Sequence, residues 1–199
     1  MTNQDSIKWF PVARVLKYDP ETVAEITKDL GHEPTGDDLR MLENHYGLRP
    51  DSIAVAEGNL LTTAGLTRIT SLITGAGGAA FTNTFGFAGV GSSATAAAVG
   101  DLALTGDGNS TTAWYKGLDA SNPSIAAGVI TANSTFASSD GNFAWNEWCW
   151  GVISSGTVTA GNTRSAVGTT PIILNHKVQS LGTKVSGAVW TLQSTVTLS

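Results

Sequence analysis

Between Gly141 and Val152 the sequence reads GNFAWNEWCWGV, which packs three tryptophans and the single cysteine of a 199-residue chain into six positions. In an extended strand, successive side chains point to opposite faces. Phe143, Trp145, Cys149 and Ile153 then share one face, and Ala144, Trp148, Trp150 and Val152 share the other. Neither face is polar. A strand with one wet face alternates apolar and polar residues, so this one needs two covers: its own core, and a second element that could be another sheet, another subunit or a ligand. The division predicts Phe143 and Trp145 in a sandwich core, with Trp148 and Trp150 against the second cover or a neighbouring copy. Glu147 is the one charge in the run. A buried carboxylate needs a partner, and Lys177 or Arg164 could supply it. Use as a catalytic acid in an aromatic cleft would require a second carboxylate.

The pattern around this stretch sets the fold class. TFGFAGVG, TAWYKGLD, GVITANSTF, IILNHKVQS and VWTLQSTVTLS are short apolar or alternating runs separated by Gly, Ser, Asn and Pro clusters. In the last of them Trp190, Leu192, Val196 and Leu198 share a face opposite Thr191, Gln193, Thr195 and Thr197. Six or seven such runs predict a mainly β protein, an antiparallel sandwich of jelly-roll-like type.

Charge divides the chain in two. Residues 1–58 hold 6 Lys/Arg and 11 Asp/Glu, whereas residues 59–199 hold 5 and 5, so the whole net charge of -5 belongs to the first segment. That segment reads as an arm followed by two helices. Asp19 precedes Pro20, Val23, Ile26 and Leu30 follow at helical spacing, and Gly31 is a stop. Thr35 and Asp38 have capping-box spacing ahead of Leu39, Leu42 and Tyr46, and Gly47 ends the run. Upstream, IKWFPVARVLKY is apolar without a clean period, and Pro11 argues against a central strand. The expectation is an attachment or bridging arm over 1–58, with Trp9, Phe10, Val12 and Leu16 as contact residues, joined to an independent domain over 59–199. That domain begins with a third helix, TTAGLTRITSLITG, capped by Thr62 or Thr63.

Composition argues against several function classes. An acidic chain with no basic cluster argues against nucleic acid as partner. No secretory signal and no apolar run long enough to span a membrane is visible, and one cysteine makes no internal disulfide. His32, His45, His176 and Cys149 are not at metal-ligand spacing. GVGSSA, residues 89–94, imitates a dinucleotide fingerprint but lacks the βαβ context, so a hairpin or loop is expected there. The Asp-Gly pairs in TGDGNS and SSDGNF read as turns. No Gly-x-Ser-x-Gly elbow and no carboxylate pair stands out. The expectation is a chain without enzymatic activity, cofactor or metal.

NLLTTAGLTRITSLI, GVGSS, FASSDGNFAWNEWCWGVI, LNHKVQSLGTKVSGAVW and TVTLS resemble accessory virion proteins of tailed bacteriophages, the capsid decoration or cement proteins, over roughly residues 59–199. The first 58 residues have no counterpart in that likeness. It implies a structural protein made in the host cytoplasm and placed on the capsid exterior. Its partners would be the major capsid protein and further copies of itself, a trimer being one arrangement, with no nucleic acid or membrane. NEW within a strand is also similar to the collar region of some tail fibres, which keeps a tail or fibre-base location open. A third reading, of another class, is a carbohydrate-binding module stacking sugars on Trp114, Trp148 or Trp150.

Overall fold

The structure, a computed structural model, describes residues 9–198; the side chains of Trp9, Phe10 and Leu198 lie outside the described residues. Eleven strands are described: β1 (Trp9–Tyr18), β2 (Ser52–Glu57), β3 (Leu60–Leu61), β4 (Gly86–Gly91), β5 (Ala113–Gly117), β6 (Ser124–Ala126), β7 (Val129–Phe136), β8 (Ala144–Val152), β9 (Ile172–Ile173), β10 (Asn175–Thr183) and β11 (Val189–Leu198). Three helices, α1 (Pro20–Leu30), α2 (Gly36–Tyr46) and α3 (Thr63–Ile73), lie between them. All strand pairings are antiparallel. One sheet runs β2-β1-β11-β7-β6 and the other β3-β10-β8-β4-β5, with β9 beside the far end of β8. The protein is therefore mainly β and sandwich-like, as the spacing of apolar runs predicts.

The inter-sheet core joins Ala13 and Val15 of β1, Ala132 and Phe136 of β7, and Trp190 and Leu192 of β11 to Ala88 and Val90 of β4, three tryptophans of β8, and Leu181 of β10. Trp145 sits at the centre, edge-on to both Phe136 and Trp190 at ring-centre distances of 4.8 and 5.0 Å. A second cluster covers the opposite face of the β8 sheet. Phe87, Tyr115, Cys149, Ile153 and Ile173 pack there with Leu104 and Val167, both contributed by connecting segments. The second cover of β8 thus comes from the chain's own loops.

This corrects the expected division of the tryptophans. Trp148 is fully buried and Trp150 is 4% exposed, and both face the inter-sheet core together with Trp145. Strict alternation would put Trp145 and Trp148, three residues apart, on opposite faces. The alternation breaks between them, where the β8–β10 ladder is irregular: β10 takes four steps from Val178 to Gly182 while β8 takes two from Glu147 to Trp145. Trp148 and Trp150 are therefore core residues. The first three residues of GVGSSA end β4, the strand of the TFGFAGVG run, and the rest enter the loop that follows it.

The amino-terminal segment is the larger correction. β1 lies inside a sheet, paired with β11 from Trp9↔Leu198 to Tyr18↔Val189 and with β2 from Val12↔Glu57 to Lys17↔Ser52. Pro11 is tolerated because its carbonyl, and hence the side its absent N–H would face, points to the β2 side, where Gly58 N–H donates at 2.9 Å. The β2 ladder begins one residue later, so the missing donor falls at the end of the ladder and interrupts none of it. Val12 and Leu16 are half-buried within this sheet and are not residues of a free arm. α1 and α2 pack Val23, Ile26 and Leu39 over Tyr18 and Val189, closing a third cluster on the outer face. The α2 capping box forms as its spacing predicts, and Gly31 and Gly47 adopt left-handed caps; the Asp19 side chain makes no cap bond.

Candidate functional site

The most organised polar constellation is buried beneath the loop after β4. His176 is the second residue of β10, and its Nδ1 lies 2.6 Å from Asp101 Oδ2 while its Nε2 lies 2.9 Å from Glu147 Oε2. Glu147 and His176 are essentially inaccessible to solvent, and Asp101 is partly exposed. Glu147 also accepts from Thr105 N–H at 3.0 Å and Gly106 N–H at 3.2 Å. Burial works against the imidazolium, but hydrogen bonds and charge from Glu147 and Asp101 outweigh it and raise the His176 pKa above its ordinary value. Asp101 is lowered: partial burial is overcome by the Ala98 N–H and by His176. Gly91 makes this possible, since a Cβ there would lie 2.4 Å from Glu147 Oε1.

Both ring nitrogens are engaged, so the chain acid–imidazole–acid acts as a clamp. It ties β8 and β10 to the segment 98–106. Asp101 accepts from Ala98 N–H at 2.8 Å, Val99 carbonyl accepts from Thr63 N–H at 2.8 Å, and Leu104 N–H donates to Tyr115 hydroxyl at 3.1 Å. The clamped loop forms one wall of an open groove of about 520 Å³, with Thr63, Thr67 and Arg68 of α3 opposite Val99 and Leu102. Cys149, deep beside Glu147, has its thiol pKa pushed well up by burial and then by that carboxylate. It is an inert core residue.

A second polar set lies where the α1–α2 connection meets the sandwich, and Glu33 joins the two. Glu33 accepts from Ser138 N–H at 2.5 Å and Ser138 hydroxyl at 3.0 Å. Asp119 accepts from Thr135 N–H and hydroxyl at 2.9 and 2.7 Å, and burial raises its pKa in spite of those bonds. Lys184 is buried, donates to Ala137 carbonyl and Asn142 Oδ1 at 2.8 Å each, and has its pKa lowered to about 8 by burial, with Asp140 and Glu33 opposing.

Among the residues singled out from sequence, Trp148 and Trp150 lie in the core and Val12 and Leu16 in β1, while the side chains of Trp9 and Phe10 fall outside the described residues. The structure does not gather them into one surface. Glu147 is paired, as its burial demanded, but by His176. Lys177 instead donates to Glu57 carbonyl and Arg164 to Pro171 carbonyl. The missed partners, Asp101 and His176, are 46 and 29 positions from Glu147 in sequence, and only the cross-strand pairing of β10 with β8 hints at one of them. The exposed apolar residues lie elsewhere: Leu66, Leu72 and Ile73 on α3 with Val99 and Leu102 in the clamped segment, and also Met41, Tyr46, Ile53, Val55, Ile125 and Val185 on other parts of the surface. No family model, curated protein or solved structure matches the chain.

Proposed function

We propose that the chain is a non-enzymatic structural protein of a tailed-bacteriophage virion, and specifically a capsid decoration protein that binds the outside of the major capsid shell and stabilises it. The observation that carries this reading is how the chain spends its polar and aromatic side chains. The one buried imidazole holds a loop through both ring nitrogens, and the tryptophans of β8 and β11 fill the core. What faces solvent on the described residues includes a Thr/Ser/Gly-rich surface of few charges with apolar side chains on several elements, and the acids Glu21, Glu25, Asp29 and Asp37 on α1 and α2. Surfaces of this kind serve contact, with apolar anchors inside polar rims. Within this reading attachment belongs to folded surfaces and not to a trailing arm.

The test is quantitative mass spectrometry of purified particles with heads and tails separated, together with addition of the protein to undecorated heads. Hundreds of copies on heads, with raised thermal resistance on addition, support decoration. A few copies confined to tails would favour the tail or fibre-base reading. The carbohydrate-binding reading loses two of its platforms, because a stacking sugar needs an open ring face and Trp148 and Trp150 offer none; Trp114 is half-buried.

A further inference from the structure

We propose that Lys184 and Asn142 form an intramolecular isopeptide crosslink, in which the lysine Nζ displaces ammonia from the asparagine side-chain amide and staples the two sheets together at one end of the sandwich. The topology brings the two residues to one place. Phe136 ends β7 and Ala144 starts β8, so Asn142 lies in the crossover from one sheet to the other; Lys184 follows directly on β10 and begins the return crossover to β11. Lys184 N–H donates to Phe143 carbonyl at 3.1 Å, which extends the Thr183↔Ala144 register by one pair and sets the two crossovers side by side.

The contact has the features of a reactant pair. Lys184 is 1% exposed, although a lysine is almost never fully buried unless its charge is paired. Its Nζ instead meets two uncharged oxygens, Asn142 Oδ1 and Ala137 carbonyl, at 2.8 Å each. Among the described residues the nearby acids hold other donors: Asp140 takes Lys116 at 2.8 Å, and Glu33 takes Ser138. Asn142 Nδ2 donates to Ser138 carbonyl at 2.9 Å, so the amide is held against the lysine. A carbonyl carbon lies about 1.2 Å from its oxygen, which puts Asn142 Cγ within about 4 Å of Nζ, and a small rotation of the amide reaches the attack distance of about 3–3.5 Å.

The nucleophile is the neutral amine. Burial lowers the Lys184 pKa to about 8, with Lys116 assisting and Asp140 and Glu33 opposing, so the neutral form is available at mildly alkaline pH. The Nζ lone pair attacks Cγ, the Nζ–Cγ bond forms, the Cγ–Nδ2 bond breaks, one amine proton passes to Nδ2, and ammonia leaves. Nothing is oxidised or reduced. Asn142 is exposed, so solvent relays the proton and carries the ammonia away. The link joins positions 42 apart and restricts the unfolded chain as a disulfide does, in a protein whose one cysteine is free and buried. The inference does not depend on the virion reading, and it is tested on the isolated protein.

Intact mass spectrometry of the full chain, held about one pH unit above the Lys184 pKa, should show the loss of one ammonia from the sequence mass. Peptide mapping should recover the segment containing Asn142 joined to the segment containing Lys184, with no tryptic cut after Lys184. Lys184→Arg and Asn142→Ala should each keep the full mass of their own sequence, with circular dichroism checking that they fold. The wild-type mass is read directly, so the test stands even where a variant fails to fold. A wild-type mass that stays whole after incubation would overturn the proposal. So would an ammonia loss found within one linear peptide, the mark of a succinimide at Asn142, or the same crosslinked loss persisting in Lys184→Arg.

Discussion

α1, α2 and α3 are the same length, 11 residues each, and all start at a residue with extended backbone, yet the molecule treats them differently. α1 and α2 close over the outer face of a sheet and bury Val23, Ile26 and Leu39 against Tyr18 and Val189. α3 buries one glycine and leaves Leu66, Leu72 and Ile73 exposed. Periodicity marks an apolar stripe in all three, because a stripe is a property of the helix alone. Whether a stripe is covered depends on which surface the rest of the chain brings to it. The difference separates an amino-terminal region built into the sandwich from an α3 region whose loop is held by an ion chain and whose outer face is open.

The sharpest way to break this comparison is to remove residues 1–58. With β1 integral, the fragment 59–199 loses the partner of β11 and the inward Ala13 and Val15, so cooperative unfolding should vanish from its thermal melt. A cooperative transition would show the amino-terminal region to be an appendage after all.

The next largest effect belongs to the clamp. Glu147→Ala should cost about 3–5 kcal/mol by stranding His176 and two backbone donors. Amide exchange at Thr105 and Gly106 should accelerate, while the α1–α2 amides, far from the loop, should change least. Its pH dependence follows from the two shifts. His176 is raised, so its contribution is complete below its ordinary pKa of about 6.5 and is lost as pH rises through the higher folded value. Asp101 is lowered, so its contribution is complete above about 3.9 and fades as pH falls through the lower folded value. The stability gap between wild type and Glu147→Ala, read from denaturant midpoints, should be widest between these limits and shrink towards alkaline pH. A gap that grows above neutrality would contradict the assignment.

The caps sharpen the contrast on a smaller scale. Thr35 caps α2 at the surface, and Thr35→Ala should cost about 1 kcal/mol. Thr62 caps α3 from a buried position, where its hydroxyl also donates to Ile173 carbonyl at 2.7 Å, so Thr62→Ala should cost about 2 kcal/mol. Equal losses in denaturant titrations would show that α3 is no more tied to the β9–β10 junction than α2 is to its surroundings. Smallest of all is Ile73→Asp, which should change stability by no more than about 0.5 kcal/mol, since that side chain touches mainly water.

Local information in the chain determined the pieces. The runs that became β4, β5, β7, β8, β10 and β11 are visible as short apolar stretches between turn residues, and the three helices announce themselves through Thr62, the Thr35–Asp38 box and the glycine stops. These features act within a few residues and need no distant partner. What only the tertiary structure decided is every question of which face meets which. Pro11 suggested an arm because it lacks an N–H, and the sheet accommodates it because that gap falls at the end of the β2 ladder. Trp145, Trp148 and Trp150 all face the core because the alternation of β8 breaks where its ladder with β10 is irregular, a register that no inspection of β8 alone contains. Glu147 announced a need for a partner, but His176 and Asp101 answered it across a strand pairing and a long loop. Burial, register and charge pairing are set by residues far apart in sequence, so the chain states its elements locally and settles their environment only on folding.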